Sequence, residues 1–197
     1  MVTFFERLGA YLIDIIVVGF LLLIIGYGLP SGNTDEINKQ MTELEEKYAN
    51  SEITTDVYLK ESYDLIYELQ KSSKLSSLIG VAVTVAYFVI FQTMYNGQTF
   101  GKKLLKLRVV DAYSHKNISY LRMLLRSLLT LSIMSSCCSL VMLLILSKNA
   151  YIIGYLLTSG IEILFIITVI IMILYRSDKR GLHDLITKTC VIKEGGM

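Results

Sequence analysis

The chain has 197 residues, of which 53% are hydrophobic and only 18% are charged, and its formal net charge is +2. An ordinary soluble domain has about 25% charged residues. Four apolar runs here each have the length that a helix needs to cross a bilayer. This excludes a single soluble core and predicts a multi-pass membrane protein.

The apolar runs predict four membrane-spanning helices, at about residues 8–29, 75–95, 121–146 and 151–175. Helices of this length bury their backbone hydrogen-bonding groups within the segment, as the bilayer core requires. The predicted fold class is an all-α membrane protein, built as a four-helix transmembrane bundle. A helical loop outside the membrane and a small two-stranded sheet on the cytoplasmic side complete it.

The first run contains a carboxylate, Asp14, and begins next to a cation, Arg7. A charge at the centre of a membrane helix costs about 2.5–3.5 kcal/mol on insertion scales. We therefore expect Asp14 to face the bundle interior and to pair with Arg126, which lies one turn inside the third run. Arg122, one turn earlier, is expected to reach the lipid headgroups. Whether the Asp14–Arg126 pair serves ion movement or only fixes helix register stays open.

Residues 30–74, between the first two runs, form an acidic loop with ten acidic residues and five lysines. Apolar side chains recur there at helical spacing, at Ile37, Met41, Leu44 and Tyr48. A second helical stretch begins at about Thr55. We predict a helical hairpin outside the membrane, and we favour a solvated spacer over a ligand-binding lid.

The loop at residues 95–120 and the C-terminal tail are basic, and Lys and Arg concentrate on the cytoplasmic side of membrane proteins. We therefore expect both termini in the cytoplasm, the acidic loop outside, and the plasma membrane as location. Alternating β-branched residues predict strands at 104–111 and 187–193, which pair with each other. The basic residues predicted to face water or anionic headgroups are Lys102, Lys103, Lys106 and Arg108.

Glu162 lies near the centre of the fourth run. Small and hydroxyl-bearing residues surround it in sequence, and such residues let helices approach closely and hydrogen-bond across their contacts. An ionisable residue at this depth is a candidate functional site. The predicted ion or proton site therefore consists of Asp14, Arg126 and Glu162.

No pattern in the sequence indicates catalysis or a bound cofactor. The three cysteines, Cys137, Cys138 and Cys190, have no metal-ligand spacing, and there are only two histidines. His183 beside Asp184 fits an interfacial residue better than an acid–base pair. We expect no enzyme activity, no metal, no cofactor and no nucleic-acid partner.

Several segments together resemble the RDD family of membrane proteins, which is named for one arginine and two aspartates. The segments are "GQTFGKKLLKLRVVD", "LRMLLRSLL" and "DKRGLHDLITKTCVI", with Arg7 and Asp14 before them. By position, Arg7, Asp14 and Asp184 correspond to the three name-giving residues. The family usually has proline where this chain has Phe100, and the turn after Asp111 lacks a common glycine.

The resemblance implies a single domain over residues 1–197, and it defines architecture better than chemistry. Transport has been suggested for the family, including cation–proton exchange for some members. Two hypotheses stay open: a small transporter that works as a homo-oligomer, or a non-transporting scaffold or accessory protein whose basic face binds anionic lipid or a partner protein. In either case we predict that Arg7 and Asp184 pair at the inner membrane interface.

Overall fold

The computed structural model describes residues 2–26, 33–130 and 133–194, and most of them are helical. The helices are α1 (Phe4–Gly26), α2 (Thr34–Ala49), α3 (Thr55–Ser72), α4 (Lys74–Val85), α5 (Gln92–Met94), α6 (Phe100–Leu104), α7 (Tyr120–Thr130), α8 (Ile133–Ile145), α9 (Lys148–Tyr175) and α10 (Leu182–Ile186), with a π-helical segment at Ala86–Phe91. The strands are β1 (Leu107–Asp111) and β2 (Thr189–Lys193).

Three helical segments in the described part are long and apolar enough to cross a membrane: Phe4–Gly26, Lys74–Met94 and Lys148–Tyr175. The middle one joins α4, the π-helical segment and α5. Within the π-helical segment, Tyr87 and Phe88 are buried, and such segments are frequent at functional sites. These helices confirm the membrane class of the protein.

The third apolar run differs from the continuous helix predicted at 121–146. It forms α7 and α8, of 11 and 13 residues, whose axes differ by 76°. At 1.5 Å per residue, neither helix alone crosses a hydrocarbon core of about 30 Å. The two joining residues lie outside the described part. Apolarity predicts burial in lipid but carries no information about this change of direction.

The acidic loop forms the predicted helical hairpin, α2 packed against α3. The rings of Tyr48 and Tyr58 stack with their centroids 4.5 Å apart. Lys148 Nζ lies 2.9 Å from Asp64 Oδ1 and joins α3 to the start of α9. Because this ion pair is partly exposed, it contributes little to stability. Residues 27–32, at the start of the predicted loop, lie outside the described residues.

β1 and β2 form the predicted two-stranded sheet, and they run antiparallel. Val109 pairs with Val191 in the ladder. Leu107, Val109 and Val191 are buried in one hydrophobic cluster with Ala10 of α1 and Met123 of α7. The sheet therefore packs against the first turns of α1 and α7, and it brings the C-terminal tail to the same side of the bundle as the N-terminus.

Candidate functional site

Asp184 in α10 is fully buried and holds two arginines from two other helices. Arg7 Nη1 of α1 lies 2.6 Å from Asp184 Oδ2. Arg126 of α7 donates to Asp184 Oδ1 from Nε at 3.1 Å and from Nη2 at 3.0 Å. The predicted Arg7–Asp184 pair is confirmed. We call Arg7, Arg126 and Asp184 the charge clasp, because they tie the tail to α1 and α7.

The surroundings of the charge clasp set the protonation states of Asp184 and of its neighbour His183. Burial alone would raise the pKa of Asp184, but the positive charges of Arg126 and Arg7 hold that pKa well below its usual range. Burial lowers the pKa of neighbouring His183 to about 4, so its imidazole is neutral at pH 7. Two buried nitrogens here, Arg7 Nε and His183 Nδ1, have no hydrogen-bond partner within the described residues.

Asp14 does not pair with Arg126, so that prediction is wrong. Its carboxylate is fully buried and accepts three hydrogen bonds from uncharged donors. Tyr87 Oη donates at 2.8 Å and the Gly101 backbone N–H at 2.7 Å, both to Oδ1. Thr99 Oγ1 donates to Oδ2 at 2.5 Å. Because these bonds satisfy the carboxylate, Arg126 is free to bind the second buried aspartate, Asp184.

The Asp14 cluster, defined as Asp14 with Tyr87, Thr99 and Gly101, fastens α6 to α1. Phe100 donates its backbone N–H to Tyr87 Oη at 3.1 Å, a bond that the proline usual in the family could not make. A Cβ on Gly101 would overlap the Ala10 carbonyl oxygen. Glycine is therefore required for this close approach of the two helices.

Arg122 does not extend to the lipid headgroups, contrary to expectation. Its Nη1 lies 2.8 Å from Asp111 Oδ2, and its Nη2 donates to the Thr187 carbonyl oxygen at 2.8 Å. A hydrogen bond from the Ser114 backbone N–H and one from Arg122 hold the pKa of Asp111 well below its usual range. Arg122 thus joins α7 to the end of β1 and to the turn before β2.

Three cavities with shared walls lie among α1, α4, α7, α8 and α9, with volumes of about 370, 180 and 350 Å³. We name them the inner, middle and outer cavities. The inner cavity adjoins the charge clasp, since Arg7, Arg126 and His183 line it. The inner and middle cavities share Leu129, Thr130, Phe165 and Ile166. The middle and outer cavities share Ser135, Thr158 and Glu162.

Glu162 lines the middle and outer cavities, not the inner one, so the predicted group of Asp14, Arg126 and Glu162 is not one site. No hydrogen bond or ion pair to Glu162 is found in the part of the chain that the structure describes. The outer cavity around it is rich in hydroxyl groups, which come from Ser77, Thr84, Ser135, Ser136, Ser139, Tyr155, Thr158 and Ser159.

The four basic residues predicted to face lipid or water lie in different environments. Lys103 and Lys106 are exposed, and Arg108 Nε donates to the Asn96 carbonyl oxygen at 2.7 Å. Lys102 instead lines the inner cavity, and its Nζ lies 5.9 Å from the Phe88 ring centroid. Burial, followed by repulsion from Arg126, lowers the pKa of Lys102 to about 7.

The sequence reasoning missed Tyr87, Thr99 and Gly101, the partners of Asp14. A signal existed for two of them, because Thr99 and Gly101 stand in the "TFGK" turn that carries the family resemblance. Tyr87 lies within an apolar run and has no such signal. Among residues 2–26, 33–130 and 133–194, no group of three His, Cys, Asp or Glu side chains could hold a metal ion.

Comparison with known proteins identifies the family of this chain but no individual relative. No curated protein and no solved structure matches the chain. The sequence model described as RDD family matches residues 1–188, a range that includes both the charge clasp and the Asp14 cluster. The chain therefore belongs to the RDD family.

Proposed function

We propose that this protein is a small transporter that exchanges a small cation for protons, with Glu162 as the residue that binds both. One observation carries the proposal: Glu162, without an ion pair in the described chain, lies between two of three cavities with shared walls. Unpaired acidic residues at membrane depth mark ion and proton pathways in other proteins.

The chemistry of the outer cavity supports a small cation as substrate. Carboxylate and hydroxyl oxygens are hard ligands that suit weakly polarisable cations, and Glu162 brings the negative charge. Between the middle and inner cavities, the shared wall consists of Leu129, Phe165 and Ile166 together with the hydroxyl-bearing Thr130. Apolar constrictions close pathways by excluding water. In this proposal the mainly apolar wall is the gate between the middle and inner cavities.

The proposed topology has four spans, with α7 and α8 together forming the third, in the plasma membrane. Both termini, the sheet and the charge clasp lie in the cytoplasm, and the α2–α3 hairpin lies outside. The charge asymmetry between the acidic hairpin and the basic loop at residues 95–120 supports this orientation. In this proposal the protein works as a homo-oligomer, because four helices rarely enclose a pathway alone.

Cysteine labelling tests this orientation. In a background without native cysteines, Ser51→Cys in the hairpin is expected to react with a membrane-impermeant maleimide in intact cells. Lys116→Cys, in the turn between β1 and α7, is expected to react only after the membrane is opened. The reverse pattern would show that the hairpin lies in the cytoplasm.

Ion flux in reconstituted vesicles tests the transport function. With a pH gradient across the bilayer, the wild-type protein is expected to collapse the gradient when sodium or potassium is added outside. Glu162→Gln removes the charge with little change in volume and is expected to abolish this flux. Glu68→Gln, at an exposed position of α3, is the matched control and should leave the flux intact. Equal fluxes from the two variants would refute the role of Glu162.

A non-transporting scaffold or accessory protein is the second candidate, and a different observation favours it. All three name-giving residues, Arg7, Asp14 and Asp184, are bound to other parts of the same chain. They hold the cytoplasmic layer together, and none is free for a substrate. Wild-type vesicles with no flux for either cation would favour this candidate.

A further inference from the structure

The inner cavity has a strongly basic end. Arg7, Lys102 and Arg126 all line it. The two buried aspartates nearby are already occupied, because Asp184 binds the two arginines and Asp14 binds its three uncharged donors. The ammonium group of Lys102 has no hydrogen bond or ion pair within residues 2–26, 33–130 and 133–194. The cavity thus contains an ammonium group that forms no ion pair in the described chain.

Two further nitrogen atoms at this end of the cavity are also unpaired. Arg7 Nε is buried and has no partner in the described part of the chain. The same holds for Nδ1 of His183, whose residue is only 3% exposed. Buried polar groups in native proteins nearly always have a partner. Three nitrogen atoms on side chains that line one cavity, namely Lys102 Nζ, Arg7 Nε and His183 Nδ1, have no partner in the described chain. They indicate a ligand with several acceptor oxygens and a negative charge.

The rest of the wall is apolar and belongs to helices of membrane-spanning length. Leu8 of α1 and Val169 and Ile170 of α9 are among its residues. The cavity volume of about 370 Å³ corresponds to roughly a dozen water molecules of about 30 Å³ each. This space accommodates a phosphate with its glycerol and the start of an acyl chain. A soluble anion would leave the apolar wall uncovered.

We propose that the inner cavity binds the phosphate headgroup of an anionic phospholipid from the inner leaflet, with Lys102 as the main headgroup-binding cation and the acyl chain along α1 and α9. The site goes beyond the proposed transport function and does not depend on it. A bound phosphate would offset the effect of burial on the pKa of Lys102. It would also accept a hydrogen bond from Arg7 Nε, and one from His183 Nδ1 in the tautomer that carries its proton there.

Lipid titration of the purified full-length protein in neutral detergent tests the site, with retained lipid counted by native mass spectrometry. Phosphatidylglycerol is expected to bind the wild type and to raise its Tm, whereas phosphatidylcholine and inorganic phosphate are expected to do neither. Lys102→Gln should weaken phosphatidylglycerol binding by about tenfold, because it removes a charge-assisted hydrogen bond. Lys103→Gln, at the exposed neighbouring position, is the matched control and should bind like the wild type.

A second variant separates headgroup binding from folding. Ile170→Trp narrows the apolar end of the cavity, leaves every charge in place, and is expected to weaken phosphatidylglycerol binding. Equal binding by Lys102→Gln and Lys103→Gln would overturn the proposal. An equal effect of inorganic phosphate would also overturn it, since the site would then bind a soluble anion. Because this experiment measures no ion flux, a failure of lipid binding leaves the transport proposal standing. A failure of the flux experiment likewise leaves the lipid site standing.

Discussion

Replacing Asp184 with asparagine is expected to lower the free energy of unfolding by about 3–5 kcal/mol, the usual cost of removing one partner from a buried ion pair. The carboxylate is fully buried and receives hydrogen bonds from two arginines. Asparagine would leave Arg7 and Arg126 buried without a counter-charge. Unfolding in mixed detergent micelles, followed by circular dichroism, measures the loss.

Asp178→Asn is the matched control for this prediction. Asp178 forms a pair with Arg176 in which both side chains are about a third or more exposed, at 31% and 43%. Exposed pairs contribute about 0–1 kcal/mol, so its removal should change stability little. Adding Arg126→Gln to Asp184→Asn should recover part of the loss, since it removes one of the stranded charges. A loss from Asp184→Asn no larger than that from Asp178→Asn would contradict the charge clasp.

Replacing Gly101 with alanine is expected to have the second largest effect, a loss of about 2–4 kcal/mol from overpacking and broken hydrogen bonds. The added Cβ would overlap the Ala10 carbonyl oxygen and approach Asp14 Oδ1. To relieve this overlap, α6 must move away from α1. The Gly101 N–H and the Thr99 hydroxyl would then move away from Asp14, and its buried carboxylate would lose hydrogen bonds. The same unfolding measurement applies.

Gly80→Ala provides the control for Gly101→Ala. Gly80 lies in α4, and a Cβ there would meet no atom within 4 Å. Alanine has a higher helix propensity than glycine, so this variant is expected to be neutral or slightly stabilised. If the two variants had equal stability, the close contact between α6 and α1 would be refuted.

The sequence predicts much of the layer formed by the sheet, α10 and the charge clasp, because its signals there are local. Alternation of β-branched residues in 104–111 and 187–193 indicates strands, and two lone strands on one side of the membrane must pair. The Arg7–Asp184 pair follows from the opposite charges and from the predicted position of both residues near one membrane interface. These patterns consist of residue type, charge and spacing, which the sequence shows without a structure.

The Asp14 partners could not be predicted in the same way. Two of its hydrogen bonds come from hydroxyls and one from a main-chain N–H, which every residue except proline carries. A charge-based argument therefore favoured Arg126, although Asp184 occupies that arginine in the structure. The depth of Glu162 indicated an ionisable site, but the hydroxyl groups around it come from α4, α8 and α9 and converge only in the folded chain.

Proton release on cation binding tests most directly the claim that Glu162 exchanges a cation for a proton. The purified protein is placed in weakly buffered detergent with a pH-indicator dye, and sodium or potassium chloride is added. The account predicts that the wild type acidifies the medium in proportion to the cation bound, and that Glu162→Gln does not. Proton release by Glu162→Gln equal to that of the wild type would contradict it.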